Sequence, residues 1–210
     1  MKTLKRIKDS SFAIYGLGLS GNSALRFLKK KNTKKIYTWD DKKNKNDKKK
    51  FILFKKKLDE VDYIIISPGI NIPKTKFKSK LFRNKKKIIT DLDLFYMQKI
   101  QIKSIVITGT NGKSTVCKLI QHIFKTNKLD AQLGGNIGKP VLDLRIRKKS
   151  VVIIEASSFQ LAHTKFIKPT FAAILNISID HLDWHNTVAN YKNSKFKIFS
   201  KQDSRDIALL

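Results

Sequence analysis

The sequence predicts an α/β protein made of two parallel sheets in succession, and three observations carry that prediction. Short apolar runs alternate with stretches of helical periodicity, the rhythm of βαβ units. The rhythm starts twice, once at Ser11 and again after Gln101. Each start leads into a glycine-bearing turn between an apolar strand and a helix, the place where such sheets bind ligands.

Taken in order, Ser11–Tyr15 is a short apolar strand that ends in glycines. Residues 20–30 then put Ala24, Leu25 and Leu28 on one helical stripe. Lys35–Trp39 reads as a second strand. Residues 62–67, rich in Ile and closed by Pro68 and Gly69, read as a third, and residues 88–90 as a fourth. After the restart, residues 104–108 form an apolar strand, 109–112 a turn and 114–125 a helix. Val151–Glu155 and residues 171–176 are further buried strands. A boundary at 97–103 divides the chain into two α/β domains, 1–97 and 98–210. Residues 205–210 look like the opening of a buried strand without an exit turn, so the second domain is expected to be incomplete.

Composition narrows the function. The chain has 210 residues, 41% of them apolar, which is enough for a real core. It carries 45 Lys+Arg against 16 Asp+Glu, a net charge of +29. That balance ordinarily points to nucleic acid or an anionic membrane. Here the lysines concentrate in a run such as residues 41–50, with no aromatic residues between them to stack bases, so a solvated lysine face is expected instead. One cysteine, Cys117, excludes a disulfide framework and a thiolate metal cluster. The basic start and the apolar residues 12–19 raise a secretory signal, but the run is short and contains Gly16 and Gly18, which fits a strand and turn better. No 18-residue apolar stretch is present. A cytoplasmic, monomeric protein with neither nucleic-acid nor membrane partner is the expectation.

The first turn, Gly16-Leu17-Gly18-Leu19-Ser20-Gly21, fits G-x-G-x-x-G. Its glycines permit a tight turn and a close backbone approach, and the helix that follows offers unpaired N–H groups to a pyrophosphate. Asp40 and Asp41, at the end of the next strand, stand where an acid meets a ribose hydroxyl. This makes the first domain Rossmann-like without separating NAD, FAD and UDP-sugars. Ser67-Pro68-Gly69 is a second turn at the same sheet edge.

The second turn is the stronger signal. Gly109, Thr110, Asn111, Gly112, Lys113, Ser114 and Thr115 follow an apolar strand and open a helix. Backbone N–H groups in such a loop wrap phosphates, Lys113 reaches the terminal oxygens, and the Ser114 or Thr115 hydroxyl can hold Mg²⁺. Ile107 stands where the general eight-residue loop has its first glycine, so this is a shorter form in a P-loop NTPase-like domain. Glu155, ending its strand, is placed to hold Mg²⁺ through oxygen, and a buried, paired glutamate is the plainer alternative. Ser157, Ser158 and Gln160 follow on the same edge. His181, in Asp180-His181-Leu182-Asp183, is a candidate metal ligand.

These motifs in this order, with Gly134-Gly135-Asn136-Ile137-Gly138, Glu155-Ala156-Ser157-Ser158-Phe159-Gln160-Leu161 and Asn176-Ile177-Ser178-Ile179-Asp180-His181, resemble the Mur ligases over essentially the whole chain. The first glycine loop, Ser67-Pro68-Gly69-Ile70 and Asp91-Leu92-Asp93-Leu94-Phe95 resemble the branch that adds D-glutamate. The resemblance implies an ATP- and Mg²⁺-dependent amide ligase of peptidoglycan precursor synthesis, joining D-glutamate to UDP-N-acetylmuramoyl-L-alanine through an acyl phosphate. It implies that Leu19, Ser20, Asp40, Ser67 and Gly69 hold the UDP part, and that Asn136, Ser157 and Gln160 face the muramoyl-peptide part. It implies Lys113 and Ser114 on ATP phosphates, Thr115 on a Mg²⁺, and Glu155 on one Mg²⁺ with His181 on the other. Lys195, four residues after Tyr191, matches a lysine carbamylated by CO₂ into a further metal ligand; without the resemblance it reads as a surface residue. The catalytic set so implied is Lys113, Glu155, His181 and Lys195. The resemblance further implies a third, C-terminal domain that is absent from this sequence, and that this piece alone is inactive or poorly folded. Another Mur-type or folylpolyglutamate synthetase-type ligase, a non-catalytic nucleotide-binding module and an NAD-dependent oxidoreductase are the rival readings.

Overall fold

A computed structural model describes residues 6–98 and 102–210, in which two parallel sheets follow one another. The first is built from β1 (Ser11–Tyr15), α1 (Leu19–Lys30), β2 (Lys35–Trp39), α2 (Lys48–Glu60), β3 (Tyr63–Ile66), α3 (Lys78–Arg83), β4 (Ile88–Ile89) and α4 (Asp91–Tyr96). Its strand order is β2-β1-β3-β4, every pair parallel. The second contains β5 (Lys103–Thr108), α5 (Lys113–Thr126), β6 (Ala131–Gly135), β7 (Val151–Glu155), α6 (Ser158–Ala162), β8 (Phe171–Ile174), α7 (Leu182–His185), α8 (Val188–Phe196) and β9 (Ile207–Leu209). Its order is β6-β7-β5-β8-β9, again parallel throughout. The α/β class and both sheets are as the sequence predicts. The expected boundary at 97–103 falls partly on residues 99–101, outside the described residues, as do the first five residues of the basic start.

The central strands of both sheets are buried on both faces, which is why they read as continuous apolar runs. In β1, Phe12 and Ile14 pack with Ala24 and Leu28 of α1 on one side. Ala13 and Tyr15 pack with Phe54, Leu58 and Phe77 on the other. The second sheet repeats this. Val106, Val152 and Ile154 face Leu161 and Ile198, while Ile107 and Ile153 face Cys117 on α5.

One local expectation is corrected, and two local features are added. The lysine run includes a helical start, in which Lys48, Lys49 and Lys50 form the first turn of α2, capped by the Asp47 side chain accepting from the Lys50 amide at 2.8 Å. The C-terminal strand is present but not buried. As β9 it pairs with β8 at the sheet edge and leaves Leu209 60% exposed. The glycine pair at 134–135 ends strand β6, an element that the sequence reading does not include. A Cβ at Gly134 would lie 2.5 Å from the Lys139 carbonyl oxygen, so glycine is needed for that backbone approach.

Contacts from the α4 segment tie the two sheets together. Buried Asp93 accepts from the Thr90 amide, closing the capping box of α4. Its other oxygen accepts from the Thr164 hydroxyl at 2.6 Å and from the Lys165 and Phe166 amides at 2.7 and 2.6 Å. Arg26 of α1 adds an ion pair to Asp143 at the surface.

Candidate active site

Two strand–turn–helix corners carry the site residues that the sequence singles out. At the first, β1 turns at Gly16, whose φ of +90° favours glycine. A Cβ at Gly21 would lie 1.9 Å from the Gly16 carbonyl oxygen, so α1 enters directly against the turn. Gly18 and Gly69 meet no such neighbour. The Ser67 hydroxyl donates to the Gly16 carbonyl at 2.8 Å. Asp40 accepts from the Leu17 amide at 2.7 Å and from the Lys42 and Lys43 amides at 3.0 Å. Burial alone would raise its pKa, but these three donors outweigh burial and hold the carboxyl below its ordinary range. Asp41 accepts from the Tyr15 hydroxyl and the Trp39 indole. Gly18 caps α1 with no side-chain hydrogen bond, and Leu19 at the first helical position is 81% exposed. The Lys43 ammonium donates to the Leu17 carbonyl at 2.8 Å, which places a cation on this loop. Beneath α1, burial pushes the Asp91 carboxyl up to about 6, against the opposing pull of the Ser20 hydroxyl.

The second corner is denser in charge. β5 ends at Thr108, and Gly112, with φ +80°, caps α5. The loop between them is held by Asn176. Its carboxamide oxygen accepts from the Thr110 and Asn111 amides at 3.1 and 2.9 Å, and its nitrogen donates to the Asn111 carbonyl at 3.1 Å. The Lys113 ammonium donates to the Gly109 and Thr110 carbonyls at 2.9 and 2.7 Å. The Lys195 ammonium donates to the same Gly109 carbonyl at 2.7 Å. Two cations therefore converge on one oxygen.

Lys195 is 1% exposed and lies 4.7 Å over the ring of Tyr191. Burial, then the Lys113 charge, push its ammonium down to about 8, while Asp180 pulls the other way. This buried position corrects the bare reading of Lys195 as a surface residue. The apolar stem of lysine disguises such a residue in sequence. Tyr191, to which the sequence assigned no role, joins α8 to the loop through a 2.9 Å hydrogen bond with the Thr110 hydroxyl. The signal that could have found it is its i, i+4 spacing to Lys195 on one helical face.

Glu155, at the end of β7, is 1% exposed. One carboxylate oxygen accepts from the Ser114 hydroxyl at 2.7 Å and the other from the Asn136 carboxamide at 2.8 Å. Among the described residues no lysine or arginine pairs with it, so the buried charge is held by neutral donors alone. A carboxylate beside a hydroxyl is an oxygen donor set suited to a hard divalent cation. Among the described residues, no three His, Cys, Asp or Glu side chains gather as a metal set, so any ion here would rely on hydroxyl, water or phosphate oxygens as well. The hydroxyl that reaches Glu155 is that of Ser114. Thr115, one residue further and so about 100° around the helix, is exposed.

His181 caps α7 with φ +52° and lies against Phe159 and Tyr191, its ring nitrogen 3.4 Å from Asp180. Tyr191 thus bridges His181 and Lys195. Ser157 and Gln160 form a capping box on α6, and Gln160 is 2% exposed.

With this geometry in view, the likenesses to known proteins are specific. Residues 107–210 match the Mur ligase middle domain. The UDP-N-acetylmuramoylalanine–D-glutamate ligase of Aquifex aeolicus is 36% identical over 95% of this chain and 46% of its own length. Those of Wolbachia pipientis and Rickettsia prowazekii are 35% and 36% identical over 94% and 97% of this chain, and over 40% and 46% of their own lengths. The chain spans less than half the length of these relatives. Among solved structures, the UDP-N-acetylmuramate:L-alanyl-γ-D-glutamyl-meso-diaminopimelate ligase of Neisseria meningitides superposes with a TM-score of 0.56 at 16% identity, over 95% of this chain and 71% of that one, which supports the fold.

Proposed function

The chain belongs to the Mur ligase family, and from that premise we propose that a protein carrying it joins D-glutamate to UDP-N-acetylmuramoyl-L-alanine with ATP. The observation that carries the reading is the second corner, where two ammonium groups share the Gly109 carbonyl beside a buried carboxylate that has no cation. Such an arrangement is short of one anion and one cation, and a nucleotide phosphate with its divalent ion supplies both.

In this reading residues 1–97 hold the UDP part and residues 98–210 the ATP. The open end of α1 faces the pyrophosphate, Leu19 covers an apolar part, and Ser20, Asp40, Ser67 and Gly69 line the same edge. Asp40 and Ser67 act mainly by fixing the loop, since their side chains already serve its backbone. Asn136, Ser157 and Gln160 lie toward the muramoyl-peptide part.

The reaction has two steps. An oxygen of the alanyl carboxylate attacks the γ-phosphorus, the bond to the β-phosphate oxygen breaks and ADP leaves. The amine of D-glutamate then attacks the acyl carbon, phosphate leaves with the bonding pair, and the amine loses a proton. Lys113 releases its two carbonyls for the γ-phosphate and offsets the charge that spreads over the transferring group. Glu155 and Ser114 would hold Mg²⁺, which supplies electrostatic stabilisation of that group. We assign the metal-side hydroxyl to Ser114 in place of Thr115. His181 and Lys195 would serve a second Mg²⁺. With its pKa near 8, Lys195 has roughly a tenth of its amine free at pH 7, and that form adds CO₂ to give a carbamate and a proton. The product would carry oxygen ligands where the bare ammonium repels a metal.

The test is phosphate release by a protein carrying this chain when UDP-N-acetylmuramoyl-L-alanine, D-glutamate and ATP are supplied together. Release should require all three and yield one amide product per phosphate. Equal release with L-alanine or another amino acid in place of D-glutamate would move the chain to a different branch of the family.

A further inference from the structure

In the proposed reading the first corner receives an anion, yet the side chain that lies beneath it is a carboxyl. Asp91, the first residue of α4, is 1% exposed, and α4 packs against α1. Its Oδ1 accepts from the Leu92 amide at 3.1 Å, while its Oδ2 is buried with no hydrogen-bond partner. A buried carboxylate oxygen without a donor is uncommon, because burial penalises the charge until it is paired or neutralised. The polar group that acts on Asp91 from α1 is the Ser20 hydroxyl, in the first turn of that helix. Ser20 stands at the open helix end, where Gly18 supplies no side-chain cap and the free N–H groups favour negative charge.

Among the described residues no cation pairs with Asp91. Asp93, on the same helix, adds negative charge. Arg26 of α1 is taken by Asp143, on the Val141–Asp143 turn that packs against both helices. Lys165 and Lys197 answer the Asp93 charge and donate to backbone carbonyls. On the loop above, Asp40 and Lys43 are engaged by the Leu17 amide and carbonyl. Burial therefore outweighs the rest and pushes the Asp91 carboxyl up to about 6, where a modest further push protonates it at neutral pH.

We propose that Asp91 is a positioning residue that takes up a proton when the pyrophosphate of the UDP substrate binds, and so turns the Ser20 hydroxyl toward the phosphate. This rests on the reading of the first corner as the pyrophosphate site. While Asp91 is ionised its oxygens can only accept, and they draw the single hydroxyl proton of Ser20. A pyrophosphate at the end of α1 brings negative charge beside that buried carboxylate, and the repulsion strengthens its hold on a proton. Once neutral, the Asp91 O–H donates to Ser20 Oγ, and Ser20 donates its own proton to a phosphate oxygen. The one covalent change is an O–H bond formed at Asp91 with a proton from solvent.

The test is calorimetric titration of a protein carrying this chain with UDP-N-acetylmuramoyl-L-alanine, a diphosphate diester with no group of its own that titrates near neutral pH. Repeated at pH 7 in buffers of different ionisation enthalpy, it should show uptake of about half a proton or more per substrate bound, since the free carboxyl is about nine-tenths ionised there. Affinity should fall about tenfold from about pH 6 to about pH 8, as the proton becomes harder to acquire. Asp91→Asn, neutral at every pH, should bind with no proton uptake and a flat profile over the same range. Circular dichroism checks that this variant folds, and where it does not, proton uptake by the unsubstituted protein decides the matter. An Asp91 that only supports packing would weaken binding equally at every pH. Substrate that binds the parent with no proton uptake and a flat profile overturns the proposal and leaves the pyrophosphate reading standing. Proton uptake retained in Asp91→Asn assigns the proton to another group and overturns it as well. Absence of substrate binding at every pH removes the pyrophosphate reading and the proposal together.

Discussion

The two glycine corners use the same local device and arm it differently. At the first, Gly16 and Gly21 exist to bring α1 against the turn, and Asp40 and Ser67 fix the loop by bonding its backbone. The helix end is left open, with the Lys43 ammonium beside it. At the second corner, Lys113 and Lys195 crowd one carbonyl while Glu155 is buried a hydroxyl away from α5. Backbone N–H groups suffice to hold a phosphate. Transferring one needs charges poised to change partners, and in the proposed reading the second corner supplies them.

The largest expected effect breaks the second corner alone. Lys195→Ala in a protein carrying this chain should lower turnover by about 10³-fold, the scale of removing one electrostatic stabiliser of a transition state. Acetate should restore part of the loss by returning an anion to the vacated space. Lys195→Arg should remain inactive with or without acetate, because the guanidinium stays charged. Activity of Lys195→Arg equal to the parent would reduce Lys195 to a packing residue.

The next effect breaks the first corner and acts on folding. Gly21→Ala forces a Cβ to within 1.9 Å of the Gly16 carbonyl oxygen and should cost about 3 kcal/mol or more of stability. Gly18→Ala, where nothing lies within 4 Å, should cost well under 1 kcal/mol. Urea unfolding of the two variants measures the difference, and equal losses would mean that α1 is not seated against the turn.

A smaller effect is pH-dependent. The folded pKa of Asp91 is raised to about 6, so the folded chain binds its proton more tightly than the unfolded chain does. Its contribution is therefore fully present below about pH 4 and is lost as pH rises through 6, a change of about 3 kcal/mol. Asp91→Asn should flatten the stability profile between pH 4 and 7. A profile that keeps the parent's slope would show that another group, such as buried Asp93, carries it.

The smallest effect separates neighbours. Ser114→Ala should raise the Mg²⁺ concentration needed for half-maximal turnover by about tenfold, and Thr115→Val by much less. Glu155→Gln should move it at least as far as Ser114→Ala does. The reverse order for Ser114 and Thr115 would return the metal-side hydroxyl to Thr115.

The sheets were legible because a parallel strand buried on both faces leaves a plain apolar signature, as in Ile105-Val106-Ile107 and Val152-Ile153-Ile154. Helix α2 was hidden because its lysines mask a narrow apolar stripe, of which Phe54 and Leu58 are fully buried. Strand β6 was hidden by the glycines that its close approach to residue 139 requires. In the site, Lys113 and Glu155 stood out because one opens a helix and the other ends a strand, each next to a turn. Lys195 did not, because nothing local marks one lysine among many as buried. Only the topology, which lays α8 against the loop at Gly109, separates it from the rest.

The division of labour between the corners is tested most directly by measuring two affinities in Lys113→Ala. Calorimetric titration should show UDP-N-acetylmuramoyl-L-alanine binding with the parent's dissociation constant, while binding of a non-hydrolysable ATP analogue with Mg²⁺ falls by at least about tenfold. Loss of UDP-substrate binding in that variant, or retention of the analogue's full affinity, would contradict the assignment of one corner to holding and the other to transfer.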